Sequence, residues 1–262
     1  GLFDRSATPL LNEVRISDNV IADVIDALSF ERTAEGRRYI NYRDLSVQQL
    51  GSIYERLLEY ELVPDGNDLA IRPNRFARKD TGSFYTPESL VKVIIKETVG
   101  PLIQQRKDAF FQEARNQRQK NTSYETRFAR LQSFDPAQQM LHLKICDPAM
   151  GSGHFLINLV DVLADEIISV MAEAENEADW TEYRSPLAER INAIRTTILQ
   201  NAEAQGWTVD PKYLDDRQIV RRMILKRCIY GVDKNPLAVE LAKVSLWLHP
   251  FTVGAPLSFL DH

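Results

Sequence analysis

The sequence predicts an α/β chain, predominantly helical, and two strand–turn–helix units carry that expectation. A short β-type run, Leu143-Lys144-Ile145-Cys146, leads through a glycine turn, Asp147 to Gly153, into an amphipathic helix from about His154 to Ala174. A second run, Cys228-Ile229-Tyr230-Gly231-Val232-Asp233, ends in an acid and is followed by a helix from Pro236 to Leu248. Nearly everything else has helical periodicity, so the sheet is expected to be small.

Taken in order, the first eighty residues read as helical. Ile21, Val24, Ile25 and Leu28 recur at helical spacing, and a second helix runs from Val47 to about Leu62, opened by the capping box of Ser46 and Gln49. The segment Val63-Pro64-Asp65-Gly66-Asn67-Asp68 reads as a turn and Asp80-Thr81-Gly82-Ser83 as another, which places a helical domain at residues 1–78. Thr86-Pro87-Glu88 then opens a helix with a hydroxyl at the N-cap, proline at the first helical position and an acid in the first turn; it closes at Gly100-Pro101. Between Ile103 and Leu141 apolar residues are sparse among Gln, Arg and Lys, the pattern of an exposed helical insertion or linker rather than core. Further helices are expected over Pro186 to Ala204 and Arg217 to Leu225. The second domain therefore covers 79–262, with insertions at about 103–142 and 175–225.

Bulk properties exclude several classes. A 44% hydrophobic composition can bury a core, while no apolar run approaches the roughly 18 residues of a membrane span. No charged leader precedes an apolar stretch, so a cytoplasmic compartment without membrane contact is expected. Cys146 and Cys228 sit in apolar runs without metal-ligand spacing and read as reduced, buried thiols, and no metal site is expected. A net charge of −5 argues against a chain devoted to wrapping nucleic acid. Basic clusters at Arg72, Arg75, Arg78 and Lys79, and at Arg217, Arg221, Arg222, Lys226 and Arg227, read first as solvated helix faces, as does the acidic stretch Glu173 to Glu182.

The chemistry concentrates in Asp147-Pro148-Ala149-Met150-Gly151-Ser152-Gly153. Glycines after a strand let a ligand approach the backbone, and the following helix offers unpaired N–H groups to an anionic group or a nucleoside. The leading Asp147 alters that preference: a carboxylate at a strand's carboxyl end faces the ligand crevice and accepts hydrogen bonds from an ammonium. Asp233 ends the next strand, where an acid commonly holds ribose hydroxyls. It lies roughly eighty residues beyond the glycines, where a dinucleotide-binding unit has about 20, which counts against an NAD-type unit.

Three motifs in this order resemble those of adenine-specific N6 DNA methyltransferases: Gly82-Ser83-Phe84-Tyr85-Thr86-Pro87, Asp147 to Leu156, and Ile229-Tyr230-Gly231-Val232-Asp233-Lys234-Asn235-Pro236. They are similar to the methylase region of restriction–modification enzymes that fuse cleavage to methylation, and of phage-defence methylases; Leu50 to Glu55 resembles the helical segment ahead of that region. The resemblance spans about residues 45 to 262. It implies a truncated Rossmann-like core that takes S-adenosylmethionine, with helical insertions and a helical domain ahead of it. Tyr85, Thr86 and Pro87 would then cover the methionine end of the cofactor, and Asp147 would hold its ammonium. Pro148, Ala149, Met150, Gly151, Ser152 and Gly153 would form the floor, Asp233 would take the ribose hydroxyls, and Lys234, Asn235 and Pro236 would border the adenine. Double-stranded DNA would be the partner of the full-length protein.

The chain departs from that family in one respect. Methyl transfer to an adenine amine needs acceptors that orient the amine and an aromatic that stacks the flipped base. The family supplies them as Asn or Asp, Pro, Pro and an aromatic, and no such tetrapeptide occurs here, Asn235-Pro236-Leu237 lacking both the second proline and the aromatic. No catalytic residue is therefore assigned. The chain, starting at Gly1 and ending at His262, is expected to be a fragment that does not methylate alone and that self-associates through an open sheet edge. Two alternatives stay open: a helical scaffold whose glycine loop binds nothing, and a methyltransferase that acts on RNA or protein.

Overall fold

The computed structural model describes residues 15–34, 36–40, 49, 53, 60–66, 68–74, 86–206, 208 and 214–249. The chain divides into two compact units, Gly1–Ser52 and Ile53–His262. The boundary expected at 78/79, the Ser46 cap and most of the helix expected from Val47 lie outside the described residues. Among the described residues the protein is mostly helical with three two-stranded sheets, which agrees with the expected α/β class at that coarse level.

In the first unit, helix α1 (Asp18–Ser29) forms where the apolar spacing predicts it, but it buries none of its residues. It runs directly into a hairpin of β1 (Phe30–Thr33) and β2 (Gly36–Tyr39), paired from Phe30↔Tyr39 to Thr33↔Gly36. The end pair Phe30–Tyr39 packs ring edge to ring face with centroids 5.8 Å apart. An all-helical reading of the first eighty residues is thus corrected.

A second hairpin extends that correction. Strands β3 (Tyr60–Asp65) and β4 (Asp68–Pro73) pair antiparallel from Tyr60↔Pro73 to Asp65↔Asp68, with Gly66 at φ +64° in the turn. The helix expected to reach Leu62 has given way to a strand by Tyr60. The reason is local: Gly66-Asn67 is a two-residue hairpin signal, since both positions favour positive φ, and the flanking segments pair across it.

The helical body of the second unit is built on α6 (His154–Glu177). Its residues Leu156, Leu159, Val160, Leu163, Ile167, Val170 and Ala174 are buried at three- and four-residue spacing. Around it lie α2 (Glu88–Thr98), α3 (Gly100–Gln119), α5 (Pro136–Met140), α8 (Asp216–Arg227) and α9 (Pro236–Leu248), each in contact with α6. Also described are α4 (Tyr124–Ser133) and α7 (Pro186–Ala204). Gly100-Pro101 does not break the chain's course: Val99 is helical at φ −89°, ψ −35°, and proline occupies the first turn of α3, where no amide partner is lost.

The segment from Ile103 to Leu141 is core, contrary to expectation. Phe110 and Leu131 are fully buried and cluster with Ala114, Ala174, Ala178 and Tyr183. Tyr183 donates its hydroxyl to Asp135 Oδ2 at 2.7 Å while Asp135 Oδ1 caps α5 through the Gln138 amide at 2.7 Å. Buried positions on α3 fall at Ile103, Phe110, Ala114 and Gln117, a narrow stripe with steps of seven, four and three residues. So narrow a stripe leaves the composition polar, yet it suffices for one helix face.

Two members of the basic cluster on α8 are structural, while Lys226 is exposed. Arg221 is buried and its Nη2 lies 2.6 Å from Asp161 Oδ1, while Arg217 Nη2 donates to Asp165 Oδ2 at 2.7 Å. Arg75, Arg78 and Lys79 lie outside the described residues. Among the described residues no helix is long and apolar enough to cross a membrane.

Candidate functional site

Strands β5 (Ile145–Asp147) and β6 (Ile229–Gly231) pair in parallel, with Ile145↔Ile229, Cys146↔Tyr230 and Asp147↔Gly231 in register. Each is shorter than the sequence suggested. The ladder continues past them through Ile145 N to Cys228 O at 2.8 Å and Val232 N to Asp147 O at 2.9 Å. Parallel pairing of strands separated by helices places their carboxyl ends side by side, so Asp147 and Asp233 are brought to one end of the pair. Of the cysteines, Cys228 is buried and burial pushes its thiol up to about 11, whereas Cys146 is exposed. The expectation of two buried thiols fails at Cys146, whose side chain points to the opposite face of β5 from those of Ile145 and Asp147, the exposed face.

The glycine loop is held almost entirely by hydrogen bonds to those strand ends. Asp147 Oδ1 accepts from the Ala149 amide at 3.0 Å, the Val232 carbonyl accepts from Met150 N at 3.0 Å, and Asp233 Oδ2 accepts from Gly151 N at 2.9 Å. Gly153 N closes the turn on the Met150 carbonyl at 2.9 Å. Gly151 and Gly153 take φ +53° and +85°, conformations that favour glycine. Gly153 is also the N-cap of α6 and passes so close to α9 that a Cβ there would lie 3.3 Å from Ala242 Cβ.

On the third motif, Asp233 Oδ1 accepts from Asn235 N at 2.8 Å, and Asn235 Oδ1 caps α9 through the Leu237 amide at 3.0 Å. Pro236 takes the first helical position and Lys234 is exposed. Beneath the loop, Met150, Leu156, Ile229, Gly231, Val239 and Ala242 line a cleft of about 140 Å³. Leu156 supplies the fully buried side chain there. A Cβ on Gly231 would fall 2.1 Å from Met150 Sδ, so the small residue in β6 makes room for the loop's methionine.

The first motif is only partly in view, because Tyr85 lies outside the described residues. Thr86 and Pro87 precede α2, which starts at Glu88 with Pro87 as N-cap at φ −55°, ψ 140° and no side-chain cap bond. The expected Thr86 cap is therefore corrected: Pro87 is itself extended at ψ 140°, so it stands outside the helix as the N-cap and the first helical position passes to Glu88. α2 packs on α6, and Glu88 acts electrostatically on His154, the first residue of α6. Sequence inspection passed over His154; its place directly after Gly153 was the available signal.

Electrostatically this end of the sheet is negative. Burial raises the Asp147 carboxyl above its ordinary range; the Ala149 amide opposes the rise and the charge of Asp233 adds to it. Burial lowers the His154 imidazole, with Glu88 acting in the opposite direction. Two carboxylates thus meet at a loop whose amides they already occupy. Such a place favours a ligand that carries positive charge and hydroxyl donors.

Comparison with known proteins found no matching family model and no matching solved structure. The chain is 26% identical, over 95% of its own length, to a protein of Methanocaldococcus jannaschii provisionally named a type II restriction enzyme and methyltransferase. It spans 18% of that protein's length. The chain is thus similar, across nearly all of its residues, to one part of a protein of restriction–modification type.

Proposed function

We propose that this chain is the cofactor-binding portion of a site-specific DNA adenine-N6 methyltransferase of a restriction–modification or phage-defence system, and that its cofactor is S-adenosylmethionine. The observation that carries this is the occupancy of the glycine-loop amides. In a phosphate-binding loop the N–H groups point at the ligand and are left for it. Here Ala149 N and Gly151 N are bonded to Asp147 and Asp233, and the two acids would repel a pyrophosphate. S-adenosylmethionine is the better match: it brings an ammonium, a sulfonium and a ribose diol, and no phosphate.

In this assignment Asp147 takes the ammonium and Asp233 the ribose hydroxyls. Pro148 to Gly153 provide the floor, Lys234 to Pro236 flank the adenine, and Thr86 and Pro87, with Tyr85, approach the methionine end. When bound, the cofactor supplies a methyl group on a positively charged sulfur; the chain's own residues bind, orient and neutralise. The similarity to a restriction enzyme and methyltransferase supports DNA as the substrate. With no Asn/Asp-Pro-Pro-aromatic tetrapeptide in its 262 residues, the chain is expected not to transfer the methyl group by itself.

Calorimetric titration with S-adenosylmethionine, beside Asp147→Ala, tests the proposal. Loss of a partly buried charge partner costs about 2 kcal/mol or more, roughly thirtyfold in affinity. Absence of binding by the unaltered chain, or equal binding by the variant, would remove the assignment of Asp147. A helical scaffold would bind neither way.

A further inference from the structure

We infer that Asp233 is also a positioning residue: its carboxylate fixes the shape of the glycine loop before any ligand arrives, and holds ribose and loop together once the ligand is bound. The inference rests on the cofactor-site assignment above for its second half only.

Met150 and Gly153 are anchored by packing and backbone bonds, but the loop tip between them, at Gly151, has no packing partner among the described residues. Nothing lies within 4 Å of a Cβ built on Gly151, so packing does not set that residue's position. Hydrogen bonds do. Asp233 Oδ2 accepts from Gly151 N at 2.9 Å, and Oδ1 accepts from Asn235 N at 2.8 Å, joining the loop tip to the start of α9 through one side chain. Asp147 serves only the near end of the loop, at Ala149 N.

Counting acceptor sites shows why an aspartate is needed. An ionised carboxylate offers about four lone-pair sites. The two backbone amides use one on each oxygen, which leaves about two, the number that a ribose diol requires. Asparagine has a single oxygen, and its NH2 group would face one of the amides donor to donor. It can keep the Gly151 bond or the Asn235 bond, but not both and a diol as well. The loop and the cofactor are therefore bound to the same group without competing for it.

Amide hydrogen exchange on the ligand-free 262-residue chain, followed by NMR at Ala149, Gly151 and Asn235, tests the first half without any cofactor. In Asp233→Ala, Gly151 and Asn235 should exchange at least tenfold faster while Ala149 is unchanged. In Asp147→Ala the pattern should reverse, with Ala149 alone accelerated. Asp233→Asn should free one of the two amides and spare the other. Equal protection of Gly151 in Asp233→Ala and in the unaltered chain would overturn the inference, and the Asn variant reads the same bond if the Ala variant fails to fold. The second half is read by adding S-adenosylmethionine to the unaltered chain. Gly151 should then keep or gain protection; binding with loss of that protection would overturn the shared-acceptor arrangement and leave the cofactor assignment standing.

Discussion

The helical body and the strand-end site of the second unit are held together by different forces. In the body, Phe110, Leu131 and Tyr183 have no more than 1% of their surface exposed, and the tyrosine and its aspartate partner satisfy each other out of water. At the site, Asp147 and Asp233 are only half-buried, Pro148 and Ala149 are exposed, and the geometry comes from amides bonded to carboxylates and from two left-handed glycines. The difference separates two kinds of sensitivity. Removal of atoms from the body should cost stability and spare binding, whereas small changes at the site should cost binding out of proportion to stability.

The largest effect expected under that division is at Phe110. Its ring lies 5.3 Å from that of Tyr183 and 6.1 Å from that of Phe111, and it is fully buried. Phe110→Ala should lower the unfolding free energy by about 3–5 kcal/mol, measured by chemical denaturation. Below the melting transition, affinity for S-adenosylmethionine should be unchanged. A parallel loss of affinity would mean that body and site form one cooperative element.

A smaller effect is expected at Gly153, where body and site meet. Alanine there would hold φ near +85° at a cost of about 1–2 kcal/mol, and its Cβ would press on Ala242. Because the strain falls on the loop itself, Gly153→Ala should weaken cofactor binding more than Phe110→Ala does, despite the milder loss of stability. Denaturation and calorimetry on both variants give the two ratios.

The same contrast explains what was legible in the sequence. The site was legible because its chemistry is local: an acid, two glycines and a helix start in consecutive positions imply the turn, and Asp233-Lys234-Asn235-Pro236 implies the next helix start. Helices α6, α7, α8 and α9 followed from strong periodicity. The body was misread between Ile103 and Leu141 because its buried stripe is only four positions in a helix of twenty, set among Gln, Arg and Lys, and only the partners Ala174, Ala178 and Tyr183, distant in sequence, make those positions core. The hairpins were missed because a two-residue turn such as Gly66-Asn67 carries its information in φ rather than in hydrophobic pattern. Nor could the sequence say that the two acids occupy the loop's own amides, a relation that exists only once β5 and β6 are in register.

The finest test sets one aspartate of each region against the other. Burial raises Asp147 above its ordinary range; Asp161 also suffers burial, but the His249 hydrogen bond and the charges of His249, Arg221 and Arg217 outweigh it and hold the carboxyl low. The two therefore act on stability with opposite sign. Ionised Asp147 costs folding energy, and that cost sets in as pH rises from the ordinary aspartate range through its raised value. Asp161 contributes stability above the ordinary range, lost as pH falls through its lowered value. Asp147→Asn should therefore raise the melting temperature at about pH 7 more than at about pH 4, and Asp161→Asn should lower it at about pH 7 and lose that penalty in acid. Each effect should be on the order of 1 kcal/mol or less, since water reaches both groups. If Asp147→Asn left the pH profile unchanged, Asp147 would be as well solvated as in the unfolded chain. S-adenosylmethionine affinity of the unaltered chain, otherwise expected to fall as pH drops through the raised Asp147 value, would then hold down to the ordinary aspartate range.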